Sequence, residues 1–290
     1  MPRADVSRGI QLEYEVFGDA GAPTLVLVMG FAAQMILWHV DFCRQLAERG
    51  FRVVRFDNRD VGLSTKLSGT PDFMQAMTGN RSAAIYALED MADDVSGLIE
   101  ALGVPAVHLV GASMGGFIVQ ETAIRHPQQV LSLASIMSST GDRTVGAPRP
   151  EVVSVFLMPP PTTRDDAIAR GLTLWRTIGS PGFPFDEEAI RARAAAAWDR
   201  NHDPAGIARQ AAALFTQRDR TADLGRLKVP AVVIHGIDDP LVTLSGGQAT
   251  AKAIPGARLV TIPGMGHDLP VPAWPTILDA IVDNTRRAGA

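Results

Sequence analysis

Ser113 has the strongest claim of any residue in this 290-residue chain to be a nucleophile. It stands in Gly111-Ala112-Ser113-Met114-Gly115, which fits the pattern G-x-S-x-G. A serine on a tight strand-to-helix turn is held in a strained backbone conformation that lifts its hydroxyl clear of the sheet. Side chains two positions before and two after would collide with neighbouring backbone, so glycine is favoured at both. The same turn leaves the Met114 amide at a helix N-terminus, facing the oxygen that becomes negative when a carbonyl is attacked.

Such a serine needs a base and a carboxylate that orients the base, following in the order Ser, acid, His. After the apolar run Ala231 to His235 comes Gly236-Ile237-Asp238-Asp239-Pro240, and either aspartate satisfies that order. After Arg258 to Ile262 comes Pro263-Gly264-Met265-Gly266-His267-Asp268. Of the six histidines, His108 and His235 lie in or at the end of strands, His126 ends a helix, and His202 falls in a helical stretch. His267 follows the last strand on a glycine-rich loop and is the base.

The flanking elements distinguish a working turn from a chance pentapeptide. Ala106 to Val110 has the length and composition of a buried strand, and Phe117 to Ile124 continues as a helix that His126-Pro127 stops. A dinucleotide-binding reading of the same glycines fails on spacing, and on the hundred or so residues that precede them. Further strands are expected over Ile10–Phe17, Thr24–Met29, Phe51–Phe56 and Val130–Met137, with a helix over about Ala83–Leu102. Strand and helix alternate, which predicts an α/β fold: an open, mostly parallel sheet covered on both faces. From Asp142 to Leu227 the chain turns Pro- and Ala-rich, with a helix at Glu187–Trp198 and no convincing strand. The expected division is a sheet core over 1–141 and 228–290 with a helical cap over 142–227. A closing helix spans about Pro272–Thr285.

Hydrophobic residues make up 46% and charged residues 20% of the chain, enough to bury a full core. A net charge of −4 with no Lys/Arg block argues against a nucleic-acid partner. Cys43 is the single cysteine, which rules out an internal disulfide and a thiolate metal cluster, and it is expected on the core face of a helix. The N-terminal stretch lacks the apolar segment of a secretory signal, and the apolar run Thr24–Trp38 is broken by Gly30 and Gln34. A soluble cytoplasmic protein without a membrane span is the expectation, and a homo-oligomer is compatible with the sequence.

With Ser113, the aspartate pair and His267 each on a post-strand loop, the chain resembles serine hydrolases of the α/β-hydrolase superfamily over essentially its whole length. Within that superfamily, Asp57-Asn58-Arg59-Asp60-Val61-Gly62-Leu63-Ser64-Thr65 and Gly264-Met265-Gly266-His267-Asp268-Leu269-Pro270 resemble esterases that demethylate anthracycline-type polyketides. The resemblance implies Asp239 as the orienting acid, ahead of Asp238. It also implies that the second oxyanion donor is the amide of Phe31, after a glycine usually preceded by His. Here that place is held by Met29, which alters the hydrogen bonding expected of the loop. Arg59, Asp60 and Ser64 are expected to tie neighbouring loops together. The implied chemistry is cofactor-free and metal-free hydrolysis of a small to medium hydrophobic ester through an acyl-enzyme. A perhydrolase, a lactonase, a carbon–carbon hydrolase and a non-catalytic receptor remain alternatives on the same frame. Trp175, Phe183, Phe185 and Trp198 are expected to roof an apolar pocket.

Overall fold

The computed structural model describes residues 2–6, 9–156 and 158–289. Three runs rich in β-branched residues form its centre: β3 (Thr24–Val28), β5 (Val107–Ala112) and β7 (Ala231–Gly236), each buried along its whole length. With β1 (Arg3–Asp5), β2 (Gln11–Phe17), β4 (Arg52–Phe56), β6 (Val130–Ile136) and β8 (Arg258–Ile262) they form one sheet, ordered β1-β2-β4-β3-β5-β6-β7-β8. β1 and β2 are antiparallel to their neighbours, whereas β4 to β8 in that order run parallel. The three-residue β1 is too short to announce itself in the sequence and exists by pairing with β2.

The two-residue period of a strand sends alternate side chains to opposite faces. Val26 and Val28, Val54 and Phe56, and Val107 and Leu109 enter one core cluster with Leu88, Met91, Val95 and Ile118. Leu25 and Leu27, Val53, and Val110 and Ala112 enter a second cluster with Phe42, Cys43, Leu46, Ile277, Leu278 and Ile281. The first face is covered by α3 (Leu88–Ala101) and α4 (Met114–Arg125), following α1 (Val40–Glu48) and the short α2 (Phe73–Met77) in the chain. α1 and the closing α11 (Trp274–Arg286) cover the second face. Cys43 packs there as expected. α3 starts five residues later than its apolar pattern suggests, because the Asp90 carboxylate accepts the Ala87 amide at 2.9 Å and pins the first turn.

Between β6 and β7 the described residues contain helices only: α5 (Pro150–Phe156), α6 (Arg164–Ile178), α7 (Glu187–Arg200), α8 (Pro204–Phe215) and α9 (Thr221–Leu224). Thr163, Asp186 and Asp203 cap α6, α7 and α8 through their side-chain oxygens. The end of this segment returns to the core, since Ala213 and Leu224 join the cluster beneath α3 and α4. α10 (Leu244–Ala253) follows β7. Among the described residues no helix is long and apolar enough to cross a membrane.

The inserted helices are fastened to the loop after β4 by buried charges. Asp57 is fully buried and receives Arg200 Nη2 at 2.9 Å, the Leu63 amide at 2.9 Å and the Met35 amide at 2.7 Å. Asp60, also fully buried, forms a bidentate pair with Arg209 of α8, both contacts at 2.9 Å. Arg59 turns the other way and grips Asp94 of α3 through two contacts of 2.6 Å. Ser64 Oγ donates to the Asp57 carbonyl at 2.6 Å and accepts the Glu13 amide at 2.9 Å. Arg59, Asp60 and Ser64, expected to tie neighbouring loops together, instead tie their loop to α3, to α8 and to β2. Asp57 and its partner Arg200 were not legible in the sequence, because 143 residues separate them.

Candidate active site

The turn from β5 into α4 carries Ser113 at φ 56°, ψ −123°, a left-handed conformation rare for a residue with a side chain. Its amide donates to Ile136 O at 2.9 Å, so the turn is an extension of the β5–β6 ladder and cannot relax freely. The flanking glycines are sterically required: a Cβ on Gly111 would meet the carbonyl of Gly115, and one on Gly115 the carbonyl of Val28. Met114 opens α4, so its amide is among those a helix leaves without an internal acceptor.

Ser113 Oγ lies 2.9 Å from His267 Nε2, and His267 Nδ1 lies 2.7 Å from Asp239 Oδ2. Asp239 is fully buried and His267 nearly so. The other Asp239 oxygen accepts the Leu241 and Val242 amides, both at 2.9 Å, which fixes the carboxylate plane. A carboxylate only accepts, so Nδ1 carries the imidazole proton and Nε2 is left to accept from the serine hydroxyl. Asp238 points elsewhere and receives the Gly264 amide at 2.8 Å, bracing the loop that carries His267. Of the two aspartates, the structure brings Asp239 to the histidine. A second imidazole, His235, sits 3.7 Å from Asp239 but donates Nε2 to Val242 O at 2.8 Å. Burial holds it below its ordinary pKa, so it stays neutral near pH 7 and does not compete for the carboxylate.

The loop after β3 passes directly beside the serine. A Cβ on Gly30 would lie 2.9 Å from Ser113 Cβ and 3.4 Å from Ser113 Oγ, and Phe31, the next residue, lines the same cavity as Ser113. With Met29 in the place usually held by histidine, other groups secure this loop. Asn58 Nδ2 donates to Met29 O at 2.9 Å, and Gln210 Oε1 of α8 accepts the Ala32 amide at 2.9 Å. The inserted helices also brace the histidine loop. Ile178 O accepts the His267 amide at 2.7 Å, and Ser180 Oγ accepts the Gly266 amide at 2.9 Å while donating to Asp268.

Ser113 and His267 open into a cavity of about 760 Å3 between the strand ends and the inserted helices. Trp175 and Trp198 line it, Trp198 stacked on His202 with ring centroids 4.1 Å apart. Phe185 also lines it but is 43% exposed, which puts it at the rim. Phe183 corrects the expected roof. The Gly182 amide bonds to Gly264 O at 2.9 Å and docks this turn on the histidine loop, and Phe183 packs against the second core cluster instead. Trp38, Phe42 and Trp274 from the core side complete an aromatic wall that the sequence did not single out. Their positions depend on the fold of a loop and helix far apart in the chain.

A hydroxyl hydrogen-bonded to an oriented imidazole beside one largely apolar cavity can carry out acyl transfer. The sheet, the elbow and this arrangement define a hydrolase scaffold. A family model described as the alpha/beta hydrolase fold matches residues 23–271, and the chain belongs to that family. It is 28% identical over 302 residues to a rhodomycin D methylesterase of Streptomyces sp. (strain C5), with 96% of each chain covered. It is 24% identical to a bifunctional esterase/perhydrolase of Acinetobacter calcoaceticus, covering 93% of this chain and 94% of that one. A solved hydrolase from Pseudomonas aeruginosa PA01 superposes with a TM-score of 0.72 at 26% identity, covering 98% and 97% of the two chains. The protein is thus an enzyme, a hydrolase of esterase type.

Proposed function

We propose that the protein hydrolyses a hydrophobic carboxylic ester through an acyl-enzyme on Ser113. The observation that carries this reading is the hydrogen-bonded chain Ser113–His267–Asp239 opening into an aromatic-lined cavity. His267 takes the serine proton as Oγ attacks the ester carbonyl, and Asp239 holds the imidazole tautomer and stabilises the imidazolium. The Phe31 and Met114 amides receive the oxyanion. His267 then protonates the leaving alcohol, and water, activated by the same imidazole, releases the acid. The helices of 142–227 serve as the cap: α6 and α7 wall the substrate cavity, and contacts from the end of α6 and the turn after it to the 264–268 loop hold the base in register. The relatives named as methylesterases support a methyl or other small alkyl leaving group.

A fluorophosphonate probe followed by peptide mapping tests the nucleophile: one label on Ser113 is expected, and none in Ser113→Ala. Ser113→Ala and His267→Ala should each remove most turnover of p-nitrophenyl butyrate, with the double variant little worse, because members of such a unit are not additive. Labelling elsewhere, or losses that multiply, would refute the assignment.

A further inference from the structure

The cavity is not uniformly apolar. Arg193 of α7 lines it together with Ser113 and His267. Its guanidinium lies 5.4 Å from the centre of the Trp175 ring. Among the described residues it makes no hydrogen bond and no ion pair within 4.0 Å. The neighbouring arginines are committed: Arg170 donates to Met158 O and Pro159 O at 2.8 and 2.9 Å, and Arg200 to Asp57. Asp268, the residue after His267, and Asp186 attract Arg193 from a distance. The Asp268 carboxyl is engaged by Ser180 Oγ and makes no ion pair with Arg193 within 4.0 Å, and burial pushes it up from the ordinary carboxylate range. Partial burial in turn pulls the guanidinium down from its ordinary value, against the pull of Asp268 and Asp186.

A guanidinium offers five donors in a plane, and leaving them unmade inside a cavity is costly. Its cation–π contact with Trp175 uses none of those donors. Resting on the ester-hydrolase reading above, we propose that Arg193 anchors a carboxylate, or an equivalent planar pair of acceptor oxygens, borne by the ester substrate away from the scissile bond. Such a group pairs in two-pronged fashion with guanidinium, and the aromatic wall packs the carbon skeleton between the two ends. The substrate class is then a half-ester or acid-bearing ester, polar at one end and apolar between.

The test compares monomethyl esters of α,ω-dicarboxylic acids, from succinate to azelate, with methyl alkanoates of equal chain length, following released methanol. The wild-type enzyme should prefer at least one half-ester by about tenfold or more in kcat/KM. Arg193→Met, which keeps the stem packed on Trp175, should lose about tenfold to a hundredfold on that half-ester, mainly through KM, as expected for a charged hydrogen bond. Its turnover of methyl alkanoates should stay within about threefold and its melting temperature should change little, since the half-buried guanidinium makes no hydrogen bond or ion pair that the substitution would break. Arg193→Lys should recover part of the preference. A wild-type preference for the neutral ester at every length, or equal losses on both series in Arg193→Met, overturns the role of Arg193 while leaving the esterase reading intact. No turnover of any ester, with no fluorophosphonate labelling of Ser113, overturns both.

Discussion

Gly30→Ala tests the oxyanion loop with a single methyl group. Gly30 is not among the left-handed residues, so alanine meets no backbone penalty there and the effect is steric. The new Cβ would stand 2.9 Å from Ser113 Cβ, 3.2 Å from Ala112 O and 3.4 Å from Ser113 Oγ. Ordinary contact begins near 3.4 Å, so the first pair must open by about 0.5 Å. The serine side is held by the β5–β6 ladder through Ile136 O and by its place at the head of α4. The 29–32 loop, hung on side-chain contacts from Asn58 and Gln210, is the part that yields. A displacement of that size withdraws the Phe31 amide from a geometry that tolerates only a few tenths of an ångström. Loss of one oxyanion donor lowers kcat by about a hundredfold to a thousandfold. Overpacking costs roughly 1–3 kcal/mol, so melting should drop by several degrees while the enzyme stays folded at 25 °C. Steady-state kinetics with p-nitrophenyl butyrate should therefore show a collapse in kcat with KM changed by less than about threefold, because the donor acts in the transition state. A kcat within about fivefold of wild type, in a variant with the expected melting shift, would refute the placement of Phe31.

Three further outcomes are expected. Asp239→Asn should cut kcat by about ten-thousandfold through the wrong imidazole tautomer, whereas Asp238→Asn, which weakens a loop contact, should cost less than about tenfold; reversed effects would move the acid by one residue. Burial against Phe51 and Ser132 pushes the His108 pKa down to about 4, so the fold carries it neutral; its contribution is present above the unfolded pKa of about 6.5 and is lost as pH falls toward 4. Urea titrations of wild type should lose on the order of 3 kcal/mol more than His108→Gln over that window, and parallel losses would refute the cause. Trp175→Ala and Trp198→Ala should shift the preference between acetate and bulky aromatic esters by about tenfold or more, while Phe183→Ala should lower the melting temperature and leave preference alone.

The parts of this protein that depend on local rules were legible in the sequence. Parallel strands write apolar runs, and the strands at Thr24, Arg52, Val107, Val130, Ala231 and the more exposed one at Arg258 start within a residue of where those runs do. The elbow writes its glycines because Gly111 and Gly115 face neighbouring carbonyls with no room for a Cβ. Once strand ends are known, the residues just past them are known too. That is why Ser113 and His267 could be named before any geometry existed, whereas the strand end left Asp238 and Asp239 as equal candidates and only the family resemblance favoured Asp239.

What only tertiary structure decided is the set of partnerships that span the chain. Asp57 with Arg200, Asp60 with Arg209, and Ala32 with Gln210 join the strand-end loops to helices more than 140 residues away. Any aspartate in such a loop could have paired with any of several arginines in the insertion, and burial chose among them. The same holds for the pocket wall. Phe183 and Phe185 are two residues apart and chemically alike, yet one packs on the core and the other rims the cavity, because the Gly182–Gly264 contact sets how that turn docks. Arg193 reads as one more solvated arginine on an Ala-rich helix until the fold turns it inward over Trp175 without a partner. Local sequence determines which residues stand at the strand ends. The side-chain environment they meet is a property of the packed chain, set by contacts that no periodicity encodes.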